Sequence, residues 1–160
     1  MAIHLTLHNV FAIVLVMKQK FIDLYMDWAS RVSKLSHARR LQVGAVIVKD
    51  DSVISYGYNG MPANWDNNCE NIVGYNMGEP MLKTKPEVLH AESNAIAKLA
   101  KSSNSGNGAD LFVTHSPCLE CAKLIHQSGI SRVWYSENYR DDAGIKFLVM
   151  SQVEVRQIDK

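Results

Sequence analysis

Two short motifs far apart in this chain have to meet: His90-Ala91-Glu92, and Pro117-Cys118-Leu119-Glu120-Cys121. One imidazole and two thiols at Cys-x-x-Cys spacing form a ligand set for zinc. Structural zinc sites use four protein ligands, whereas catalytic ones use three and leave a position for water. His90, Cys118 and Cys121 supply three, and Glu92 stands where it can handle the protons of that water. Any fold for this chain must bring these groups together.

The spacing suggests how. Cys118 and Cys121 are i and i+3 in the first turn of a helix, so they share a face. The unpaired N–H groups and positive dipole end of that helix favour thiolate. His90 stands at the opening of another helix, just upstream of the second strand–helix unit. In open α/β folds, sites collect outside the carboxyl ends of strands. One difficulty is local. Positions i and i+2 lie on roughly opposite sides of a regular helix, so the first turn has to direct Glu92 back towards the metal.

The rest of the chain supplies an alternation of helices and strands. Phe21, Leu24, Tyr25, Trp28, Ala29, Val32 and Leu35 recur at helical spacing and predict an amphipathic helix with that buried stripe. The run from Val43 to Val48 is continuously apolar and mostly β-branched, which predicts a strand covered on both faces. Lys49-Asp50-Asp51 turns it into an antiparallel partner, Ser52 to Tyr58. Residues 60–86 are rich in Asn, Gly and Pro with weak periodicity and predict an irregular, functional insert. A helix from His90, a short strand at Leu111–Thr114 and a helix from about Cys118 to Gln127 follow. Pro117 suits the first position of that helix and Gly129 its left-handed C-cap. Val133–Tyr135, a short helix over Asp142–Met150 and an edge strand at Val153–Arg156 complete the series. The order α-β-β-α-β-α-β-α-β predicts a three-layer α/β/α fold. Its mixed, largely parallel sheet would have about five strands and an opening antiparallel hairpin.

Composition narrows the function. With 17 basic and 16 acidic residues the net charge is +1, without the basic excess of proteins that track long nucleic acid. A small substrate is expected. Cys69, Cys118 and Cys121 make no disulfide framework, so a reducing, cytoplasmic compartment is expected. The apolar run Val10–Met17 is about half the length that crosses a bilayer and lacks the flanks of a signal peptide. Residues 1–17 are therefore expected to be an N-terminal extension packed on the single domain spanning 18–160 or on a neighbouring subunit, with no membrane contact.

H-x-E followed by P-C-x-x-C is the pattern of zinc nucleobase deaminases. With Val43-Gly44-Ala45-Val46, Gly57-Tyr58-Asn59-Gly60-x-Pro62, Thr114-His115-Ser116-Pro117 and Tyr139-Arg140-Asp141, the chain resembles the deoxycytidylate (dCMP) deaminases of the cytidine deaminase-like superfamily, from about Lys18 to its end. The resemblance implies zinc-dependent hydrolysis of dCMP to dUMP and ammonia, supplying dUMP for thymidylate synthesis. It implies one catalytic Zn2+ per subunit, with Glu92 as the proton carrier. Asn59 would contact the sugar, the Ser116 carbonyl would receive the departing amine, and Ala91 and Pro117 would also bind the substrate. Arg40, Tyr139 and Arg140 would hold the 5′-phosphate, a role to which the forked guanidinium is suited. The family also implies a homo-oligomer, commonly a hexamer, activated by dCTP and inhibited by dTTP with Mg2+. Tyr58, Gly60, Asn67 and Glu70 are the effector-binding candidates, in or near the insert.

Rival readings use the same scaffold. A tRNA adenosine or polynucleotide cytidine deaminase needs an electrostatic and aromatic surface for nucleic acid. Deaminases of free cytosine, cytidine or guanine need no phosphate arginines. A non-catalytic nucleotide-binding zinc module needs no Glu92.

Overall fold

The structure, a computed structural model, describes residues 17–158. The N-terminal extension expected over residues 1–17 lies outside these apart from Met17. The elements are α1 (Gln19–Ser33), β1 (Gly44–Lys49), β2 (Ser52–Tyr58), β3 (Glu70–Asn76), β4 (Glu79–Thr84), α2 (Ala91–Leu99), β5 (Asp110–His115), α3 (Leu119–Gln127), β6 (Arg132–Glu137), α4 (Ala143–Met150) and β7 (Glu154–Gln157). Among the described residues no helix is long and apolar enough to cross a membrane.

Five strands form the main sheet in the order β2-β1-β5-β6-β7. β1 runs antiparallel to both neighbours, while β5, β6 and β7 run parallel. Four strands therefore point one way and β1 alone runs against them. The β1–β2 turn, Asp50-Asp51, has positive φ at both residues, as a two-residue hairpin requires. Alternate residues along the strands feed two cores. Val46, Val48, Phe112 and Trp134 meet Ile22, Tyr25, Met26 and Ala29 of α1 on one face. Ala45, Ile47, Leu111, Val113, Val133 and Tyr135 meet α2, α3 and α4 on the other. Coverage on both sides explains the unbroken apolar runs. β7 lies at the sheet edge, as expected.

The stripe of α1 is rotated from the expected one. Tyr25 and Ala29 are buried, joined by Ile22, Met26 and Ser33, while Leu24, Trp28 and Leu35 are 42%, 46% and 51% exposed. A Cβ on Gly44 would lie 2.1 Å from the Ala29 carbonyl, so helix and strand touch backbone to backbone there. Close approach selects the small residues Ala29 and Ser33 for the interface and turns the bulky ones outward.

The insert at 60–86 is not wholly irregular. It contains a second, two-stranded sheet, β3–β4, turned by Met77-Gly78 with positive φ at both positions. Three features hid it: Met where such turns favour Asn or Asp, Pro80 within a strand, and strands exposed on both faces, which removes apolar alternation. A lone hairpin is marginal by itself. This one is held at its base. The Lys85 N–H donates to the Cys69 carbonyl at 2.9 Å, and Gly60 bridges to Leu89. Cys69, Ala38 and Val88 form a small buried cluster against Met61. Cys69 is thus a core residue of the hairpin base.

Candidate active site

The carboxyl ends of β2, β5 and β6 open at one end of the sheet, and both zinc motifs arrive there. His90 and Cys118 are not inside helices. Each is the N-cap of its helix, with extended backbone (φ −75, ψ 157 and φ −71, ψ 168). That removes the difficulty of the i, i+2 spacing: Glu92 sits in the first turn of α2 while His90 projects from the extended residue before it. Pro117 falls one residue before the N-cap rather than at the first helical position, because Cys118 takes the cap. Gly129, at φ 81 just past α3, follows the C-cap Ser128. α2 reaches this position because β2 carries Gly57, where a Cβ would lie 2.2 Å from the Ala91 carbonyl and 2.4 Å from the Ala95 nitrogen.

The ligand atoms of His90, Cys118 and Cys121 lie within 4.8 Å of one another. His90 Nδ1 is 3.5 Å from Cys118 Sγ and 3.4 Å from Cys121 Sγ. Zn–N and Zn–S bonds of about 2.0 and 2.3 Å at a tetrahedral angle place N and S about 3.5 Å apart. The spacing fits zinc, with Nδ1 as the ligating nitrogen. Hydrogen bonds from Cys121 and His90 hold the Cys118 thiol down at about 3. The same bond to Cys118, together with burial, pushes Cys121 up. The site thus favours at least one thiolate, the form that binds metal.

Glu92 is 4% exposed, beside the His90 ring and the Cys121 thiol. Burial pushes its carboxyl up to about 7, against the lowering effect of its own backbone N–H and of His90. A carboxyl balanced near neutrality can both take and return a proton.

Above these groups is a cavity of about 700 Å³. His90, Ala91, Glu92 and Cys118 form its chemical end, with Ser116 and His115 from the end of β5. Asn59, Leu41 and Val43 form one wall, and the Asn59 amide holds that wall together. Its Oδ1 accepts the Val43 N–H and its Nδ2 donates to the Leu41 carbonyl, both at 2.8 Å. Ser116 Oγ accepts the Tyr139 N–H at 2.8 Å and ties the loop after β6 to the end of β5. Asn138, Tyr139 and Arg140 line the rim there, and the Arg140 guanidinium lies 5.5 Å from the Tyr139 ring centre.

Of the predicted zinc and proton-carrying residues, His90, Cys118 and Glu92 line the cavity and Cys121 completes the ligand cluster; Arg40, Asn59, Ala91, Ser116, Tyr139 and Arg140 line the cavity too. Pro117 is buried directly behind Cys118. Of the four effector candidates only Glu70 lines this cavity. Tyr58 lies under the Lys98 ammonium, 5.3 Å from it, Gly60 bridges to Leu89, and Asn67 is exposed. Sequence reasoning missed Lys83 and Thr84 of β4, Val88, His115 and Asn138. His115 lies inside one recognised motif and Asn138 adjoins another, so both could have been found that way. Lys83 and Thr84 carry no local signal.

Comparison with known proteins agrees with this geometry. Residues 19–137 match the family described as the cytidine and deoxycytidylate deaminase zinc-binding region. The chain belongs to this zinc-binding deaminase family. Within it, the chain is 35% identical over 144 residues to the deoxycytidylate deaminase of Saccharomyces cerevisiae, covering 88% of this chain and 46% of that protein. It is 40% identical over 116 residues to ComE operon protein 2 of Bacillus subtilis, covering 72% and 59%. The chain therefore spans about half the length of these curated relatives. It matches the dCMP deaminase of cyanophage S-TIM5, solved in complex with dCMP and dUMP, with a TM-score of 0.79 and 41% identity over 89% of this chain and 100% of that one.

Proposed function

We propose that this protein hydrolyses deoxycytidylate, replacing the 4-amino group with oxygen to give dUMP and ammonia. The observation that carries the reading is a buried carboxyl, Glu92, beside a three-ligand zinc set at the foot of a cavity with cations at its mouth.

His90 Nδ1, Cys118 Sγ and Cys121 Sγ would hold zinc, which when bound would activate the attacking water. Glu92 takes a proton from that water and passes it to the ring nitrogen next to the amino-bearing carbon, which makes that carbon electrophilic. After the water oxygen has added there, Glu92 moves the second proton to the amine. The C–N bond breaks, ammonia leaves, and the carbonyl of the product forms. One carboxyl serves as base and then acid, and its environment near neutrality suits both steps. The Ser116 carbonyl stands at the chemical end to receive the amine, Asn59 meets the sugar, and Arg40 and Arg140 hold the phosphate. Self-association and the cytoplasm are part of the same reading. So are dCTP and Mg2+·dTTP effectors at the loop carrying Tyr58, Gly60 and Asn67.

Glu92→Gln tests the mechanism. It should retain zinc while losing roughly 10²–10⁴-fold in ammonia release from dCMP; unchanged turnover sinks the assignment. The same assay on deoxycytidine and on a short single strand separates the rival substrates. With dCTP or Mg2+·dTTP added, an unmoved saturation curve removes the effectors.

A further inference from the structure

The β3–β4 hairpin has no role in the chemistry described so far, yet it supplies part of the cavity wall. Its first residue is Glu70, 2% exposed. Glu70 Oε1 accepts the backbone N–H groups of both Arg39 (3.0 Å) and Arg40 (3.2 Å), and Oε2 lies 3.7 Å from Arg39 Nε. The cross-strand partner of Glu70 at the base of the hairpin is Thr84, whose Oγ1 accepts from Arg40 Nη1 at 2.8 Å. The loop residue Arg40 is therefore gripped twice by the hairpin, at its backbone and at its guanidinium. Next to Thr84, the exposed Lys83 also lines the cavity.

The charges around the cavity are unequal. Among the described residues, Arg40, Lys83 and Arg140 face no carboxylate within ion-pair distance. Of the two acids of the wall, Glu92 lies at the chemical end. Glu70 accepts two backbone N–H groups at Oε1, while its buried Oε2 makes no hydrogen bond among the described residues and faces Arg39 Nε at 3.7 Å. Three unneutralised cations from three separate segments make a site for a dianion. A phosphate monoester carries about −1.5 to −2 at neutral pH.

We infer that the β3–β4 hairpin is the phosphate-side wall of the active site, with Glu70 as its positioning residue and Lys83 as a third phosphate cation. This rests on the nucleotide reading above and extends it to residues that reading does not use. Glu70 acts through Arg40: without its carboxylate, the Arg39 and Arg40 N–H groups lose their acceptor and Arg40 loses its fixed approach. Lys83 acts directly, as a point charge on a solvent-facing strand.

The test is the ratio of kcat/KM for dCMP to that for deoxycytidine, measured on zinc-loaded protein. Lys83→Gln, a surface change that leaves the core intact, should lower this ratio on the order of tenfold. The drop should shrink as salt is raised. Glu70→Ala should lower it at least as much through KM for dCMP. Glu70→Gln, which keeps an acceptor for both N–H groups, should recover most of the loss. A ratio within about twofold of wild type for Lys83→Gln overturns the inference. So does a Glu70→Ala protein that loses both substrates equally with its zinc retained. If Glu70→Ala does not fold, Thr84→Val takes its place and should lower the ratio. A wild-type protein with no preference for dCMP would refute the substrate reading itself, a result separable from either variant outcome.

Discussion

Replacing Gly57 by alanine tests how the sheet sets the geometry of the zinc site. The new Cβ would stand 2.2 Å from the Ala91 carbonyl oxygen and 2.4 Å from the Ala95 nitrogen, both backbone atoms of α2. Carbon–oxygen contacts of this kind settle at about 3.3 Å, so α2 must withdraw by about 1 Å. No side chain can absorb the shift by changing rotamer. Ala91 lies between His90 and Glu92, so the displacement moves the proposed zinc ligand and the proposed proton carrier together, relative to Cys118 at the cap of α3 and Cys121 within it. Misplacement by about 1 Å costs on the order of 10²-fold in rate. Overpacking of this size costs about 1–3 kcal/mol, or roughly 2–12 °C in Tm for a domain of this length. Steady-state ammonia release, zinc content and thermal unfolding of the same preparation measure all three. A Gly57→Ala protein with full zinc, wild-type kcat and unchanged Tm would refute the claim that β2 positions the site.

Two further outcomes follow from the same structure. Cys118→Ser replaces the thiol held low by Cys121 and His90 with a hydroxyl that is a poor zinc ligand, so metal content should fall well below one zinc per chain and activity with it; elemental analysis after dialysis decides, and full occupancy would rule Cys118 out as a ligand. At the far end of β5, the Asp110 carboxylate accepts from Arg132 Nε (2.6 Å), Arg132 Nη2 (2.9 Å) and Trp134 Nε1 (3.0 Å). Asp110→Ala strands those donors and should cost about 3 kcal/mol in urea unfolding, with kcat of the folded protein unchanged; a smaller loss than 1 kcal/mol would show that the pair adds nothing to stability.

How much of this was legible beforehand depended on the range of the signal. The helix over 19–33 was plain from its apolar recurrence, but its buried face was not. Which residues face the sheet depends on where Gly44 lets the backbones touch, and that contact spans distant parts of the chain. The main strands were legible because both their faces are covered. β3 and β4 were not, because neither face carries an alternating pattern and the turn uses Met77. Glu70 was read as a residue for an incoming effector. The structure puts it indoors, bonded to Arg39 and Arg40, and its sequence neighbourhood contains no hint of that partner.

By itself the sequence determined the chemistry. Ligand type, Cys-x-x-Cys spacing and a carboxylate two residues from a histidine are local facts, and zinc chemistry needs those groups whatever surrounds them. Only the tertiary structure decided the reach of the site: His90 and Cys118 as caps rather than helix interior, Glu92 buried to near neutrality, and a hairpin wall bonded to Arg40 beside the cavity. Burial and convergence come from contacts between residues far apart in the chain, and no spacing along it records them.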